Sequence, residues 1–413
     1  MKQKWDHLLH EYPRPFRVLI GALFVDRWGG ALIFPFLSLY VTQRFQVGMV
    51  EVGTIFAIFS IGSLFGNLLG GALTDKIGRR AMLIFGLVAS AGSTLMMGLV
   101  NHIEAFYIGA AFVGLLADTA GPAQQAMVAD LLPEAKRTEG FGILRVVANL
   151  AVTIGPAIGG VLAAYSFLSL FIIDACASTI TAMIVYFTIP ETKPEVKVGE
   201  PHPSLVQTFT GYKEVFRDRF YMVYLLVAML MVLVYMQMNT TLSVYLRDAH
   251  QISTQQFGYL ISLNAAMVVL FQFGISRRIQ KYAPMVVMGV GTIFYAVGFA
   301  MYGFTHTYLF FLLAMAIITI GEMLVSPVGQ ALVSRLAPED KRGRYMAVYG
   351  LSWLLPSSVG PLAAGWVMDT LDPRWVWYAC GILGVIASLG YFALNTRTRD
   401  RFGALSSEET PAD

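Results

Sequence analysis

Gly-Pro-Ala-Gln-Gln-Ala-Met-Val-Ala-Asp-Leu-Leu-Pro-Glu-Ala-Lys-Arg, residues 121–137, returns at residues 326–342 as Ser-Pro-Val-Gly-Gln-Ala-Leu-Val-Ser-Arg-Leu-Ala-Pro-Glu-Asp-Lys-Arg. The displacement is 205 positions, from Pro122 to Pro327. It holds further along, where Gly155, Pro156 and Gly160 fall on Gly360, Pro361 and Gly365. Twelve identities in one ungapped register mark a parallel internal repeat. The longest polar stretch, 190–219, lies between the two copies.

Working outward from the repeat, the hydropathy shows what is repeated. A membrane span needs about 20 mostly apolar residues. The chain offers twelve such segments: 17–43, 50–74, 81–101, 105–131, 139–164, 167–189, 220–246, 255–276, 283–304, 307–334, 343–369 and 374–395. They are too long and too uniformly apolar for barrel strands, so they read as helices. The expected organisation is an N-terminal segment 1–16, a six-helix half 17–189, a connecting loop 190–219, a second six-helix half 220–395 and a tail 396–413. The first apolar run is too long for a signal peptide, and no small-residue cleavage site follows it. With the N-terminus inside, the inward segments carry 24 Lys and Arg and the outward loops carry 3, Arg44, Arg247 and Arg374. That asymmetry predicts a multi-pass protein of the cell (inner) membrane with both termini in the cytoplasm. Two parallel six-helix halves can rock about a central site, which is how a transporter alternates access; a receptor or scaffold has no physical need for such a repeat.

Composition excludes other classes. Of 413 residues, 56% are hydrophobic and 13% charged, and the mean hydropathy is +0.62. Soluble domains carry about 25% charged residues. A net charge of +3 gives no footprint for nucleic acid. The two cysteines, Cys176 and Cys380, stand alone in apolar segments, and all six histidines fall outside the strongly apolar runs. No disulfide framework, metal site, cofactor site or nucleophile–base pair is expected, so the chain does not read as an enzyme. A sensor would be expected to carry a folded output domain, for which the tail after 396 is too short.

The loop after the second span reads Gly71-Ala72-Leu73-Thr74-Asp75-Lys76-Ile77-Gly78-Arg79-Arg80. It resembles the signature that the major facilitator superfamily carries between spans two and three, with every key position matched. Gly71 would allow close helix approach, Gly78 a tight turn, and Asp75 could sit against a helix N-terminus, where the macrodipole favours an anion. The resemblance implies that Asp75 faces the N-terminal end of span eleven and that an arginine, Arg79, reaches a carboxylate closing span four, here Asp130, while Arg80 stays on the cytoplasmic side. Together these form a conformational latch. The second-half copy keeps Gly274, Arg278 and Lys281 but no aspartate, so the latch would be asymmetric. In span five, Gly142, Asn149 and Gly155-Pro156-Ala157-Ile158-Gly159-Gly160 resemble the antiporter motif of the drug:proton antiporter branch, with Ala151 where glycine is usual; generic Gly-rich packing would also explain it. Gly62, Gly66 and Gly70 in span two read as packing only. Ala110 stands where many drug antiporters carry an arginine in span four, so Arg27 or Arg145 would have to take its role if proton coupling needs one.

Ionisable groups inside spans are costly and default to functional hypotheses. Asp26 and Arg27 lie mid-span one, Asp118 mid-span four, Arg145 two turns into span five, Asp174 in span six and Glu322 mid-span ten. The 205 shift carries Asp118 to Met323, one residue from Glu322, so both halves place a carboxylate at similar depth. A carboxyl group removed from water favours its neutral form and can load and release protons. The proton-coupling set is therefore Asp26, Glu322 and Asp118 with Arg27 and Arg145. The bland alternative is a static buried ion pair, for example Asp26 with Arg145, and Asp174 reads as structural on a peripheral span. Tyr235-Met236-Gln237-Met238-Asn239 is a polar and thioether patch in span seven. Gln237 and Asn239, with Trp353, are candidates for a substrate cavity, against helix–helix packing as the alternative.

The expected protein is thus an all-α, twelve-span major facilitator transporter. The resemblance implies proton-coupled efflux of apolar or cationic drugs, by a monomer whose partners are a small amphipathic or lipidic substrate, protons and the bilayer. A lipid or lysolipid flippase, then a proton-coupled nutrient importer, are the alternatives on the same fold.

Overall fold

The structure is a computed structural model that describes residues 12–193, 213–336 and 342–408. Most of the N-terminal segment 1–16, the middle of the connecting loop, the end of the tail and the side chain of Asp75 lie outside the described residues. Among the described residues the regular structure is helical throughout. Every apolar segment of the sequence is a helix or a pair of helices. Eleven of them are long and apolar enough to cross a membrane. The remaining one, Arg342–Thr370, is a 29-residue helix with Pro356 and Pro361 inside it, and it fills the place of span eleven.

Three spans are not regular α-helices, each for a local reason. Span one runs Arg14–Ile33, tightens to a 3-10 turn at Phe34–Phe36 around Pro35, and continues as Leu37–Phe45. Proline lacks the N–H that the ladder needs there. Span seven pauses at Thr241 between Arg219–Thr240 and Leu242–His250. Span four runs Ile103–Phe112, widens to a π-helix at Val113–Ala117, and resumes at Ala120–Leu131. At the other end of the chain the last helix, Arg374–Glu408, runs well past the expected end of span twelve and into the tail.

The described residues form two compact units. One holds those of Met1–Gly199 with Asn239–Ser262, the other those of Glu200–Met238 with Leu263–Asp413. The sequence places the division in the 190–219 loop alone. The structure also assigns the end of span seven and the start of span eight to the first unit. Close contacts account for this. A Cβ on Gly160 of span five would stand 2.7 Å from the Cα of Gly258 in span eight. Phe36 meets Phe257 edge-on at 5.8 Å, and Arg247 donates to the Thr42 hydroxyl at 2.9 Å.

Glycine governs the packing inside each unit, as expected where close backbone approach drives helix association. In the first unit, the Gly62, Gly66 and Gly70 stripe of span two lies against the π-segment and the turn after it, with Leu115 O 2.4 Å from a Cβ built at Gly66. In the second, Gly291 and Gly321 bring spans nine and ten together, and Gly384 meets Ala296. The outward surfaces are apolar, with Phe187, Phe273 and Leu309 all more than 70% exposed. Such surfaces suit hydrocarbon rather than water.

Candidate functional site

Two side-chain clusters lie inside the units and a third closes one end of the first unit. In the first unit, spans one and six run side by side through a ladder of polar contacts. Thr181 Oγ1 donates to the Ala22 carbonyl at 2.9 Å. One turn on, Ser178 Oγ donates to Asp26 Oδ1 at 2.7 Å. One turn further, the Asp174 carboxyl rests on Gly29, where a Cβ would meet its Oδ1 at 2.7 Å. Asp174 is buried and Asp26 half-buried, so the two carboxyls are about one helical turn apart, about 5 Å along the axis. Gly29 leaves the room that the Asp174 carboxyl occupies, whereas a Cβ at Gly30 would stand 3.9 Å from the same oxygen. Among the described residues no ion pair joins Asp26 to Arg145, which is exposed on span five. Arg27 turns the other way and donates to Gln124 Oε1 of span four at 3.3 Å. Asp118 is half-buried at the end of the π-segment.

In the second unit, Glu322 is gripped by neutral donors. The Tyr235 hydroxyl of span seven donates to Oε1 at 3.1 Å, and Asn264 Nδ2 of span eight donates to Oε2 at 2.8 Å. The same amide donates to Thr319 Oγ1 at 3.0 Å, and the Thr319 hydroxyl donates to the Met315 carbonyl at 2.7 Å. Among the described residues no lysine or arginine pairs with Glu322. Tyr295 lies on the backbone at Gly321, with its Cδ1 3.0 Å from where a Cβ would be, and meets Tyr235 at 5.8 Å between centroids. Trp353, 42% exposed, stands edge-on to Tyr235 at 6.2 Å. Gln237 is buried and donates to the Leu233 carbonyl of its own helix at 3.0 Å; Asn239, two residues on, is half-buried and belongs to the first unit.

The third cluster is the end of the first unit where spans two, three, four and six meet. Gly78 sits at φ +124, which only glycine adopts without strain, and a Cβ there would strike Glu191 Oε2 at 2.5 Å. Glu191 Oε1 accepts the backbone N–H of Arg79 at 2.8 Å and its Oε2 that of Arg80 at 3.2 Å, the first two residues of span three. Its Oε1 also accepts the N–H groups of Thr192 and Lys193, each at 3.0 Å. Burial pushes the Glu191 carboxyl up, but these four backbone donors outweigh it and hold the group below the usual carboxylate range. Arg79 Nε donates to Asp130 Oδ2 at 3.2 Å, and Thr192 Oγ1 donates to the same oxygen at 3.1 Å. Arg80 donates to the Tyr186 carbonyl and lies 5.1 Å over the Tyr186 ring. Lys193 Nζ donates to the Lys76 carbonyl at 2.8 Å.

Some expectations need correcting or completing. Among the described residues nothing lies within 4 Å of a Cβ built at Gly71 or Gly142, so the close approach expected of Gly71 is not seen among them. Gly155 and Gly159 meet Ala31 and Leu32 of span one, and Gly160 meets span eight. Sequence reading passed over Glu191 in Pro190-Glu191-Thr192-Lys193, and passed over Asn264 and Ser178. An amide inside an apolar span, and the hydroxyl cluster Ser178, Thr179 and Thr181 in span six, were the available signals for the last two.

A body of long apolar helices in two repeated six-helix sets, with carboxylates at mid-span depth, defines a multi-pass membrane transporter rather than an enzyme. The comparisons name its family. The chain belongs to the Major Facilitator Superfamily, whose model matches residues 19–353 and 238–412. It is 27% identical to the Na(+), Li(+), K(+)/H(+) antiporter of Planococcus maritimus over 94% of this chain and 95% of that protein. It is 23% identical to the multidrug resistance protein MdtH of Yersinia pestis (strain Pestoides F), covering 94% and 92%. Among solved structures the fold matches the nucleoside transporter NupG with a TM-score of 0.75 at 15% identity, covering 92% and 99%. It also matches a POT family transporter bound to a thioalcohol-conjugated peptide with a TM-score of 0.77 at 15% identity, covering 93% and 96%.

Proposed function

We propose that this chain is a proton-coupled exporter of apolar or cationic small molecules that works by alternating access, as a monomer in the cell membrane with both termini in the cytoplasm. The observation that carries the reading is Glu322, a mid-span carboxyl held by a phenol and an amide with no cationic partner among the described residues. A group so placed can lose its charge to a proton or balance it with a cationic ligand. In this reading Glu322 and Asp26 are the proton carriers, with Asp118, Arg27 and Arg145 as the polar groups around the path. Gln237, Asn239 and Trp353 line the substrate cavity. Asp75, Arg79, Arg80 and Asp130, around the Gly71–Gly78 loop, form the latch that biases one access state. Gly155, Pro156, Gly159 and Gly160 form the close-packed seam of span five. Inward proton movement gains about 2.3 kcal/mol per charge per 100 mV, which suffices to drive export.

Similarity to the Planococcus protein favours a second reading, exchange of alkali cations for protons. Proteoliposomes with an imposed pH gradient separate the two. Gradient-driven movement of a lipophilic cation supports drug export. Movement of sodium or potassium alone supports the second reading. Movement of a labelled lysolipid alone overturns both.

A further inference from the structure

We propose that the end of span eight and the turn after it bind the phosphate of an anionic membrane phospholipid through Arg277, Arg278 and Lys281.

No acidic residue occurs between Asp248 and Glu322, and these three cations are the only Lys or Arg in that stretch. All three are exposed. Among the described residues no carboxylate pairs with any of them. The first unit treats its equivalent turn differently. There Asp130 meets Arg79 at 3.2 Å, and Glu191 accepts two N–H groups at the start of span three. The 205 register carries Asp130 to Arg335, a charge of opposite sign. Span nine, Pro284–Phe304, starts with no side-chain cap and no acidic residue in its first turn. Among the described residues the second unit therefore has no counterpart of either anion. Helix dipoles do not make up the difference. The end of span eight offers about half a negative charge and the start of span nine about half a positive one, so the two offset each other.

Aromatic rings hold the cations where the span ends. Arg277 Cζ lies 5.8 Å from the Phe273 ring centroid, and Lys281 Nζ lies 5.4 Å from that of Tyr282. A ring face positions a cation without cancelling its charge. Span eight is also anchored here, because Gln272 donates to the Met323 carbonyl of span ten at 3.1 Å. Phe273 and Phe271 are exposed and lie about one to two turns further into the span than Arg277. Exposed rings within the span and unpaired cations at its edge fit a molecule with acyl chains below a phosphate. A free phosphate would use the cations alone. Guanidinium groups suit the phosphate, which they can grip with two parallel N–H donors.

The test is lipid binding to the purified full-length protein in detergent, read by native mass spectrometry as the equilibrium constant for the first bound lipid. It needs no gradient and no transported substrate, so the result stands whatever the chain transports and whichever leaflet this end faces. The probes are phosphatidylglycerol and phosphatidylcholine with the same acyl chains. Wild type should prefer phosphatidylglycerol about a hundredfold, and Arg277→Gln, Arg278→Gln and Lys281→Gln should each weaken it roughly fivefold while phosphatidylcholine changes less than about twofold. Arg277→Lys should keep most of the affinity, which a packing effect of Arg277 would not allow. Lys213→Gln/Arg217→Gln removes two exposed cations elsewhere and should change phosphatidylglycerol binding less than about twofold. The thermal unfolding midpoint reports the folding of each variant, and any one of the three Gln variants that folds carries the test. The proposal is overturned if the folded Gln variants bind phosphatidylglycerol as wild type does, or if the Lys213/Arg217 control weakens it equally. Displacement of the lipid by an equal concentration of sn-glycerol 3-phosphate would also overturn it, by assigning the cations to a free phosphate.

Discussion

Replacing Glu191 with Ala should loosen the start of span three in a way that can be read residue by residue. The carboxylate accepts the N–H groups of Arg79 and Arg80, two of the four donors that a helix start leaves without intrahelical partners. Losing a side-chain cap costs about 0.5–2 kcal/mol, and an anion at a helix N-terminus adds about 0.3–1 kcal/mol at an exposed site. Glu191 is largely exposed, so water replaces part of the lost bonding and about 1–2 kcal/mol is a fair total. That corresponds to roughly 5- to 30-fold faster hydrogen exchange at the Arg79 and Arg80 amides, read by mass spectrometry on peptides spanning 76–84 in nanodiscs. The pH dependence has a definite sign. The folded-state value is depressed, so the stabilisation is fully present above the unfolded glutamate value of about 4.3 and is lost as pH falls through the lower folded value. Protection corrected for intrinsic exchange should therefore be flat from pH 5 to 8 and fall below pH 4. Unchanged exchange in Glu191→Ala, or a protection step near neutral pH, would refute the assignment.

The remaining expectations concern the other clusters. Gly29→Ala drives a methyl into Asp174 Oδ1 and Ala177 Cβ, at 2.7 and 2.9 Å, and should cost about 1–3 kcal/mol; an unaltered unfolding midpoint would show that spans one and six yield freely. Asp130→Asn removes the charge that Arg79 meets at 3.2 Å, and if the pair biases a shared equilibrium it should scale transport of every substrate by one factor. A reordered substrate panel would place Asp130 in substrate contact instead. Glu322→Gln should abolish accumulation driven by a pH gradient while sparing energy-independent exchange, and full uphill transport by that variant removes Glu322 from the proton path.

The fold was legible because the membrane imposes one simple rule, long apolar helices, and because the repeat at 122–160 and 327–365 fixed how they are grouped. Local departures were less legible. The π-segment at Val113–Ala117 lays the carbonyls of Gly114 and Leu115 against Gly66, a glycine about fifty residues away in sequence. At the sites, charged residues announced themselves but their neutral partners did not. Asp26 and Glu322 stand out in any apolar run, whereas Ser178 and Asn264 gain meaning only when spans six and eight are seen against spans one and ten. Arg79 and Asp130 were named from a motif and lie 3.2 Å apart; Glu191, which caps the same helix, sits outside that motif and 112 residues from Arg79.

Glu191 also explains how two halves that share a sequence repeat end up held by different chemistry. The repeat preserves prolines, glycines and small residues, which set where helices bend and touch. It does not preserve the polar ends: the second half has no counterpart of Asp75. There, Asp218 accepts the Tyr221 N–H at 3.1 Å at the start of span seven and the Tyr345 hydroxyl at 2.8 Å from span eleven. The Tyr221 hydroxyl in turn donates to the Tyr345 carbonyl at 2.6 Å. In both units a carboxylate satisfies N–H groups at the start of a helix and ties that start to other segments. Both carboxylates, Glu191 and Asp218, belong to the 190–219 connection rather than to the repeat. The connection between the halves is therefore pinned at each end to its own unit, one end on span three and the other on spans seven and eleven. A change of charge at Glu191 therefore acts on the start of span three, and one at Asp218 on the start of span seven and its tie to span eleven, each within its own unit.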